Sequence, residues 1–516
     1  MQSSTPSVIR AEVAIIGFGP VGAVLAGLLG RRGIEVVVLE RDAAVFPLPR
    51  AAHIDHQGLR AVQELGCLDA LLPDMVRNRA LELVSAAGET LVHVPADQPS
   101  VSGLPLSAYF YQPDFDGRLR RTVTAMPGVR VELGTDVTAL DADETGVRIA
   151  ARRADGGTIT VRADYAVGCD GAWSMVRESA GIPLDSLDFD EKWLVLDLRF
   201  AAMPPGLPTD RVVQVCDPAR PRLTTPISRD RQRFEFMLLP GESPAAMQDP
   251  ETVRRLLDLW LPDARYEVSR AAVYTFHGLV ARGWRRGRVT IAGDAAHQMP
   301  PFLGQGMCSG LRDATNLAWK LEAVLRRGAS TALLDTYEIE RSPHVRTIVE
   351  AAIRFGRLVC ETDAAQAAAR DRRLLARDKA EADRIGFKLP RLPRGPLVLD
   401  GGGMLFVQPA VDGARLDDIV GPRPFVLARD AAALAGDADW WRQTCGAYVA
   451  TFADLPHPDL AAWLDRSGAG VVAVRPDRYV LGAAATLSPI TRAVRPFFES
   501  AGGASATPAK LAGGRA

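Results

Sequence analysis

The sequence predicts an α/β protein in three parts: a parallel-sheet unit of strand–helix–strand design, an antiparallel sheet inserted into it, and a small α/β module toward the C-terminal end. Three observations carry this reading. An apolar run at 13–16 meets a glycine turn, a helical stretch at 21–29 and a β-branched run at 36–39. Several β-like runs (193–200, 211–215, 233–239) crowd together before the chain returns, at 289–292, to a strand of the first kind. A charged stretch at 370–394, closing among Pro390, Pro393 and Pro396, separates these from short runs at 404–408, 425–428, 448–452 and 470–475.

Length and composition agree with several domains. A chain of 516 residues exceeds what one compact core usually holds. With 61 Lys and Arg against 62 Asp and Glu, no net field gathers nucleic acid or an anionic membrane, and a small partner fits better. Cys67, Cys169, Cys216, Cys308, Cys360 and Cys445 show neither a CxxC pair nor metal-ligand spacing, so no metal site and a reducing, cytoplasmic setting are expected. Residues 1–10 lack the basic start and apolar run of a secretory leader. The uncharged stretch 13–30 raises the question of a membrane span, but its glycines and Pro20 make strand, turn and helix the better reading.

Further strands of the first unit are expected at 129–133, 147–151, 158–161 and 165–167. After the return, Leu311, Ala314, Ala318, Leu321 and Leu325 recur at spacings that mark one buried helix face, and a second helix is expected at 331–359. The stretch 370–394 reads as a solvated helix and linker. The resulting division assigns 1–184 and 270–385 to the parallel-sheet unit, interleaved with strands of the inserted layer. It assigns 185–269 to the inserted sheet, 398–500 to the C-terminal module and 501–516 to a disordered tail.

The strongest local motif is Gly17-Phe18-Gly19-Pro20-Val21-Gly22, with Glu40 and Arg41 at the end of the next strand. Gly17 permits a tight turn, Gly19 lets backbone approach a pyrophosphate, and Gly22 allows close helix–strand packing, while the acid suits ribose hydroxyls. This points to a dinucleotide without saying which one. Two later segments narrow the choice: Gly168-Cys169-Asp170-Gly171 after an apolar strand, and Ala292-Gly293-Asp294-Ala295-Ala296-His297 after another. With Pro300-Pro301-Phe302-Leu303-Gly304-Gln305-Gly306-Met307-Cys308 and the following Gly310-Leu311-Arg312-Asp313, they resemble the single-component FAD-dependent aromatic hydroxylases.

The resemblance spans nearly the whole chain and is nearest to the meta-hydroxyphenylpropionate hydroxylase group, through 50–55, 216–221 and 233–242. It implies an FAD-binding Rossmann-like domain, an inserted substrate sheet and a thioredoxin-like C-terminal domain. It also implies FAD, with NADH or NADPH as a transient co-substrate, and dioxygen delivered to a phenolic, hydroxyphenylpropionate-like ring. Carried over residue by residue, it assigns Asp294 to the ribityl chain, Asp170 to the pyrophosphate region, and Pro301, Gly304, Gln305, Gly306 and Met307 to the flavin ring. Arg50, Gln112 and the backbone at Val137 complete the cofactor set, with a surface side chain as the lesser alternative for Arg50 and Gln112. Asp55 is either the general base that takes a phenolic proton or the cap of the helix starting near Gln57, with His53 and His56 beside it. Gln214, Phe236 and Pro300 are placed as substrate contacts; Arg222 is either a partner for a substrate carboxylate or an exposed arginine. Cys308 reads as packing rather than nucleophile, and a lone Cys445 leaves the C-terminal module without a redox pair.

A homodimer is compatible with the resemblance. The alternatives are a polyketide-tailoring hydroxylase or epoxidase of the same fold and, from another class, a non-catalytic nucleotide-binding protein. A halogenase and a Baeyer–Villiger enzyme are disfavoured by the missing WxWxIP and FxGxxxHxxxW patterns.

Overall fold

The computed structural model describes residues 7–377 and 387–499. Its central sheet carries the strands 129–133, 36–40, 7–16, 158–168 and 289–291 side by side, all parallel. An antiparallel flap, Val147–Arg153 and Thr135–Ala142, folds back on Thr158–Gly168. The two runs expected at 158–161 and 165–167 are thus one strand.

Val36–Glu40 is buried along its whole length, as a parallel strand covered on both faces must be. The helix Pro20–Gly30 is buried from Gly22 to Leu29 because it is packed between this sheet and the helix Gly306–Arg327. A helix apolar on every side belongs in such a place, and no helix among the described residues is long and apolar enough to cross a membrane.

The inserted sheet is larger than expected. Its order is His297–Gln298, Glu267–Ala281, Leu184–Arg199, Arg231–Met237, Arg222–Ser228, Arg211–Cys216, Ala80–Ser85 and Thr90–Pro95. Two corrections follow. A hairpin at 80–95, from within the first segment, completes the sheet, and it joins through a parallel pairing with Arg211–Cys216, so the sheet is not wholly antiparallel. The boundary expected at 269–270 falls inside the long strand Glu267–Ala281, which pairs with Leu184–Arg199 over nearly its full length.

The pleat gives this sheet two unlike faces. Leu194, Leu196, Leu198, Phe234 and Phe236 point outward into a core closed by Met247, Val253, Leu256 and Leu257 of two short helices. Residues of the other parity, Trp193, Val195, Asp197, Arg233, Glu235 and Met237, face the parallel-sheet domain, since successive side chains alternate.

In the C-terminal module the strands run Tyr448–Thr451, Phe425–Ala428, Val471–Val474 and Val480–Ala484, the first pair parallel and the other two antiparallel. Hydrophobic cores lie on both faces of this sheet. The run expected as a strand at 404–408 contributes only an isolated bridge between Leu405 and Tyr479. Cys445 is buried in the module core, and burial pushes its thiol up to about 12. The helix Ala364–Leu375 accounts for part of the charged stretch; 378–386 and the tail 501–516 lie outside the described residues.

Candidate active site

Steric contacts show how tightly the glycine turn is built. At Gly17, φ is +99°, and a Cβ there would stand 2.4 Å from the Cys169 carbonyl oxygen; at Gly22 it would stand 2.1 Å from the Gly17 oxygen. At Gly19 a Cβ would meet nothing within 4 Å, so this glycine borders open space. Val21 then packs on the next stretch, because a Cβ on Gly293 or Gly310 would meet its side chain at 3.1 and 2.5 Å. The three motif segments converge around one cleft.

Two helices begin at that cleft. Pro20–Gly30 starts at Gly19 and Gly306–Arg327 at Gln305, and neither has a side-chain cap or an acidic residue in its first turn. Their free N–H groups and positive dipole ends therefore remain available to an anion or an electron-rich ring. Between them Asp294 stands exposed to the cleft while ringed by protein; burial raises its carboxyl above the usual range, against the pull of His297 and Arg50. Pro301 and Met307 are half-buried beside Gly304, which takes a left-handed turn (φ +63°) against the His53 ring. His53 Nδ1 lies 3.0 Å from the Gly304 carbonyl.

The turn that presents Asp294 is fixed by a residue not singled out from sequence. Asp313, wholly buried, accepts from the Gly293 N–H at 3.1 Å, lies 2.8 Å from His297 Nε2 and pairs with Arg341 at 2.8 Å. Burial works to raise its carboxyl, but Arg341 and His297 prevail and hold it below the usual value. In the sequence it stood only as one residue of the Gly310-Leu311-Arg312-Asp313 stretch, with no role assigned.

Several expected cofactor contacts have other duties. Gln112 Oε1 accepts from the Arg50 and Ala51 N–H groups, both at 2.7 Å, and its amide donates to Asp116, so it shapes the Arg50 loop from behind. Glu40 accepts from Phe18 N at 2.6 Å inside the glycine turn and from Asp42 N at 2.9 Å. Asp170 accepts from Ser174 and from Val176 N at 3.0 Å, capping the turn into the helix Met175–Ser179. Arg41 and Arg50 are exposed, and Val137 is held by pairing with Ala151.

Of the two readings of Asp55, the geometry is that of the cap. Oδ1 accepts from Gln57 N and Gly58 N at 3.1 and 3.0 Å, and Oδ2 is taken by Arg312. Burial would raise this carboxyl, but Arg312, His56 and the Gly58 N–H outweigh it and hold it below the usual range, which makes a weak base. His56 Nδ1 is engaged by Ser102 Oγ at 2.8 Å, and burial drives its pKa down to about 4. Cys308 is buried with a raised thiol, as a packing residue should be.

On the substrate side, Gln214 donates to the Phe302 carbonyl at 2.8 Å, and Pro300, two residues earlier in that loop, is buried. Phe236 is misassigned: it points away from the cleft into the outer core. Arg222 is on that outer side too, paired with Asp217 at 2.7 Å, and is neither exposed nor free for a carboxylate.

A family model described as an FAD binding domain matches residues 10–352. The chain belongs to this FAD-binding family. Over 92% of both chains it is 38% identical to a "Probable NADH-specific resorcinol 4-hydroxylase" of Rhodococcus jostii strain RHA1. It is 34% identical to a "3-(3-hydroxy-phenyl)propionate/3-hydroxycinnamic acid hydroxylase 2" of Burkholderia vietnamiensis strain G4, covering 95% of this chain and 96% of that one. Among solved structures, an aklavinone-11 hydroxylase complex with FAD and aklavinone superposes with a TM-score of 0.78 at 25% identity, covering 95% and 98% of the two chains. The protein is an FAD-dependent aromatic hydroxylase. Its residues fit FAD: an open Gly19, two uncapped helix N-termini and an exposed Asp294 line one cleft.

Proposed function

We propose that this FAD-dependent hydroxylase adds oxygen to a small single-ring phenol, with NADH as the reductant and dioxygen as the oxidant. The observation that carries this is the position of the cleft. It opens between the two uncapped helix ends and faces the inner side of the inserted sheet, which the domain touches on either side: through Arg233 at Pro49 and Arg50, and through Gln214 at Phe302. Bound and reduced, FAD supplies the activated oxygen.

The chain's own residues do the rest. The N–H groups around Gly19–Gly22 would take the pyrophosphate, and Asp294 the ribityl hydroxyls. The start of the helix Gly306–Arg327, with Gly304 and Gln305, would lie against the ring and favour its anionic reduced form through the helix dipole. Trp193 and Phe302, in edge contact at 5.6 Å, are buried between the inserted sheet and the loop after Pro300 and keep water from that side. Reduction without transfer would release peroxide, so this enclosure matters for coupling.

The test is a panel of phenol, resorcinol and 3-(3-hydroxyphenyl)propionate given to the purified yellow protein, following both NADH consumption and hydroxylated product. Product from at least one single-ring phenol, in step with NADH, is expected. Product only from polycyclic substrates would replace this reading with polyketide tailoring.

A further inference from the structure

We propose that Glu235 is the group that receives the ring hydroxyl of the substrate, in a site made for a neutral polyhydroxylated ring rather than for one bearing a carboxylate. This rests on the reading of the protein as a phenol hydroxylase and names the chemistry of its substrate side.

Register places the residue. Across the inner face of the inserted sheet, Leu83, Gln214, Leu223, Glu235 and Val195 lie side by side on five adjacent strands. Gln214, on this row, donates to the Phe302 carbonyl of the loop that leads to the flavin region. Arg233, two residues before Glu235 on the same face, donates to the carbonyls of Pro49 and Arg50. Glu235 therefore stands between the two points at which the FAD domain clamps the sheet.

Two polar atoms on this row lack partners. Glu235 is only 4% exposed, and neither its Oε2 nor Gln214 Oε1 has a hydrogen-bond partner among the described residues. One strand lies between them, so they stand two interstrand spacings apart, roughly 10 Å, the scale on which one aromatic ring with two hydroxyls could reach both. Buried oxygens are rarely left unpaired, so a donor from outside the chain is the natural complement.

The surrounding charges select against an acid. Arg233 on the same strand and Arg270 on Glu267–Ala281 both pair with Asp197 of Leu184–Arg199, at 2.7 and 3.3 Å, and both donate to Pro49 O. Tyr274 stacks with Arg270 at 4.7 Å. Both arginines are drawn to Asp197 and Pro49 O, and of their nitrogens only Arg270 Nε is buried without a partner among the described residues. Burial, with Asp197, lifts the Glu235 carboxyl to about 7 against Arg233 and Arg270. Near neutrality the ionised group can accept the phenolic proton: the phenol O–H bond breaks, a carboxyl O–H bond forms, and the electron pair left on oxygen enriches the ring.

The experiment is calorimetric titration of the FAD-loaded protein and its Glu235→Gln variant with resorcinol and with 3-(3-hydroxyphenyl)propionate, from pH 6 to 8. Expected are at least tenfold tighter binding of resorcinol than of the acid, strengthening for resorcinol as pH rises through about 7, and weakening for the acid over the same range. The variant, near-isosteric and with unchanged FAD content, should lose both slopes and at least tenfold in resorcinol affinity. A wild-type protein that prefers the acid, or a variant indistinguishable from it, overturns the assignment. Should the variant not fold, the wild-type slopes decide alone. Binding as expected with no hydroxylated product would refute the enzymatic reading and leave the Glu235 site standing.

Discussion

At the scale of single residues, Asp294 and Asp313 divide one task. Asp294 is exposed on one side of the turn, where the proposed FAD would lie, and Asp313 fixes the turn from behind. Asp294→Ala should leave folding intact and weaken FAD retention by roughly 10- to 100-fold, the worth of one or two charge-assisted hydrogen bonds, read as flavin absorbance per protein after gel filtration. Asp313→Ala strands Arg341 in the interior and should cost about 3–5 kcal/mol, seen as a fall in denaturation midpoint. Because the folded Asp313 carboxyl titrates below its ordinary value of 3.8, its stabilisation is complete above about pH 4 and is lost as pH falls through the lower folded value. Acid unfolding of the wild type should therefore begin below about pH 4, and Asp313→Asn should flatten that limb.

Residue-level legibility was uneven for a physical reason. Gly17 and Gly22 announce themselves by type and spacing, because only glycine tolerates those contacts, whereas Asp294 was reached through the family resemblance. Phe236 and Glu235 are neighbours in a strand, and nothing local says which parity faces the site. The apolar parity was the natural choice, yet it packs on the two short helices, while the parity carrying Arg233 and Glu235 faces the cleft. Site faces need polar groups, so the rule that apolar points inward misleads there.

At the scale of elements, the glycine-turn helix offers a clean separation of packing from binding. Gly22→Ala drives a Cβ into the Gly17 carbonyl and should destabilise the protein by about 1–3 kcal/mol, measured as denaturant midpoint. Gly19→Ala meets no protein atom and should keep the apoprotein's melting temperature within a degree or two, while FAD binding weakens because the backbone can no longer be approached as closely. Equal loss of stability in both variants would refute this division.

The parallel strands stood out as short apolar runs, the helix Gly306–Arg327 through its apolar periodicity, and the helix Ala332–Val359 as the stretch that follows it. The hairpin 80–95 and the strand Glu267–Ala281 did not. The first has its partner at 211–216, more than a hundred residues away. The second mixes exposed, half-buried and buried positions without a two-residue alternation.

For the molecule as a whole, the C-terminal module is joined to the FAD domain by buried charge. Arg475 pairs with Glu340 at 2.8 Å and with Asp477, Lys320 Nζ lies 2.9 Å from Glu340, and Asn316 donates to Asp477 at 3.1 Å. Burial pushes the Lys320 ammonium down to about 8, with Glu340 opposing and Arg475 assisting. Arg475→Met leaves Glu340 and Asp477 short of a cation and should cost about 3–5 kcal/mol; unfolding of the module and of the FAD domain should remain a single calorimetric transition in the wild type and separate into two in the variant.

Tyr479 extends this junction to the chemistry. Its hydroxyl donates to Gln57 Oε1 at 2.8 Å, the same oxygen accepts from Arg312 Nε at 2.8 Å, and Arg312 also holds Gln305 Oε1 at 2.9 Å. A relay of four side chains thus runs from the C-terminal module to Gln305, in the loop proposed to lie against the flavin. Chimeras that exchange C-terminal modules among related hydroxylases should keep coupled turnover only where the donor module brings a phenol at this position, and otherwise leak reducing equivalents as peroxide.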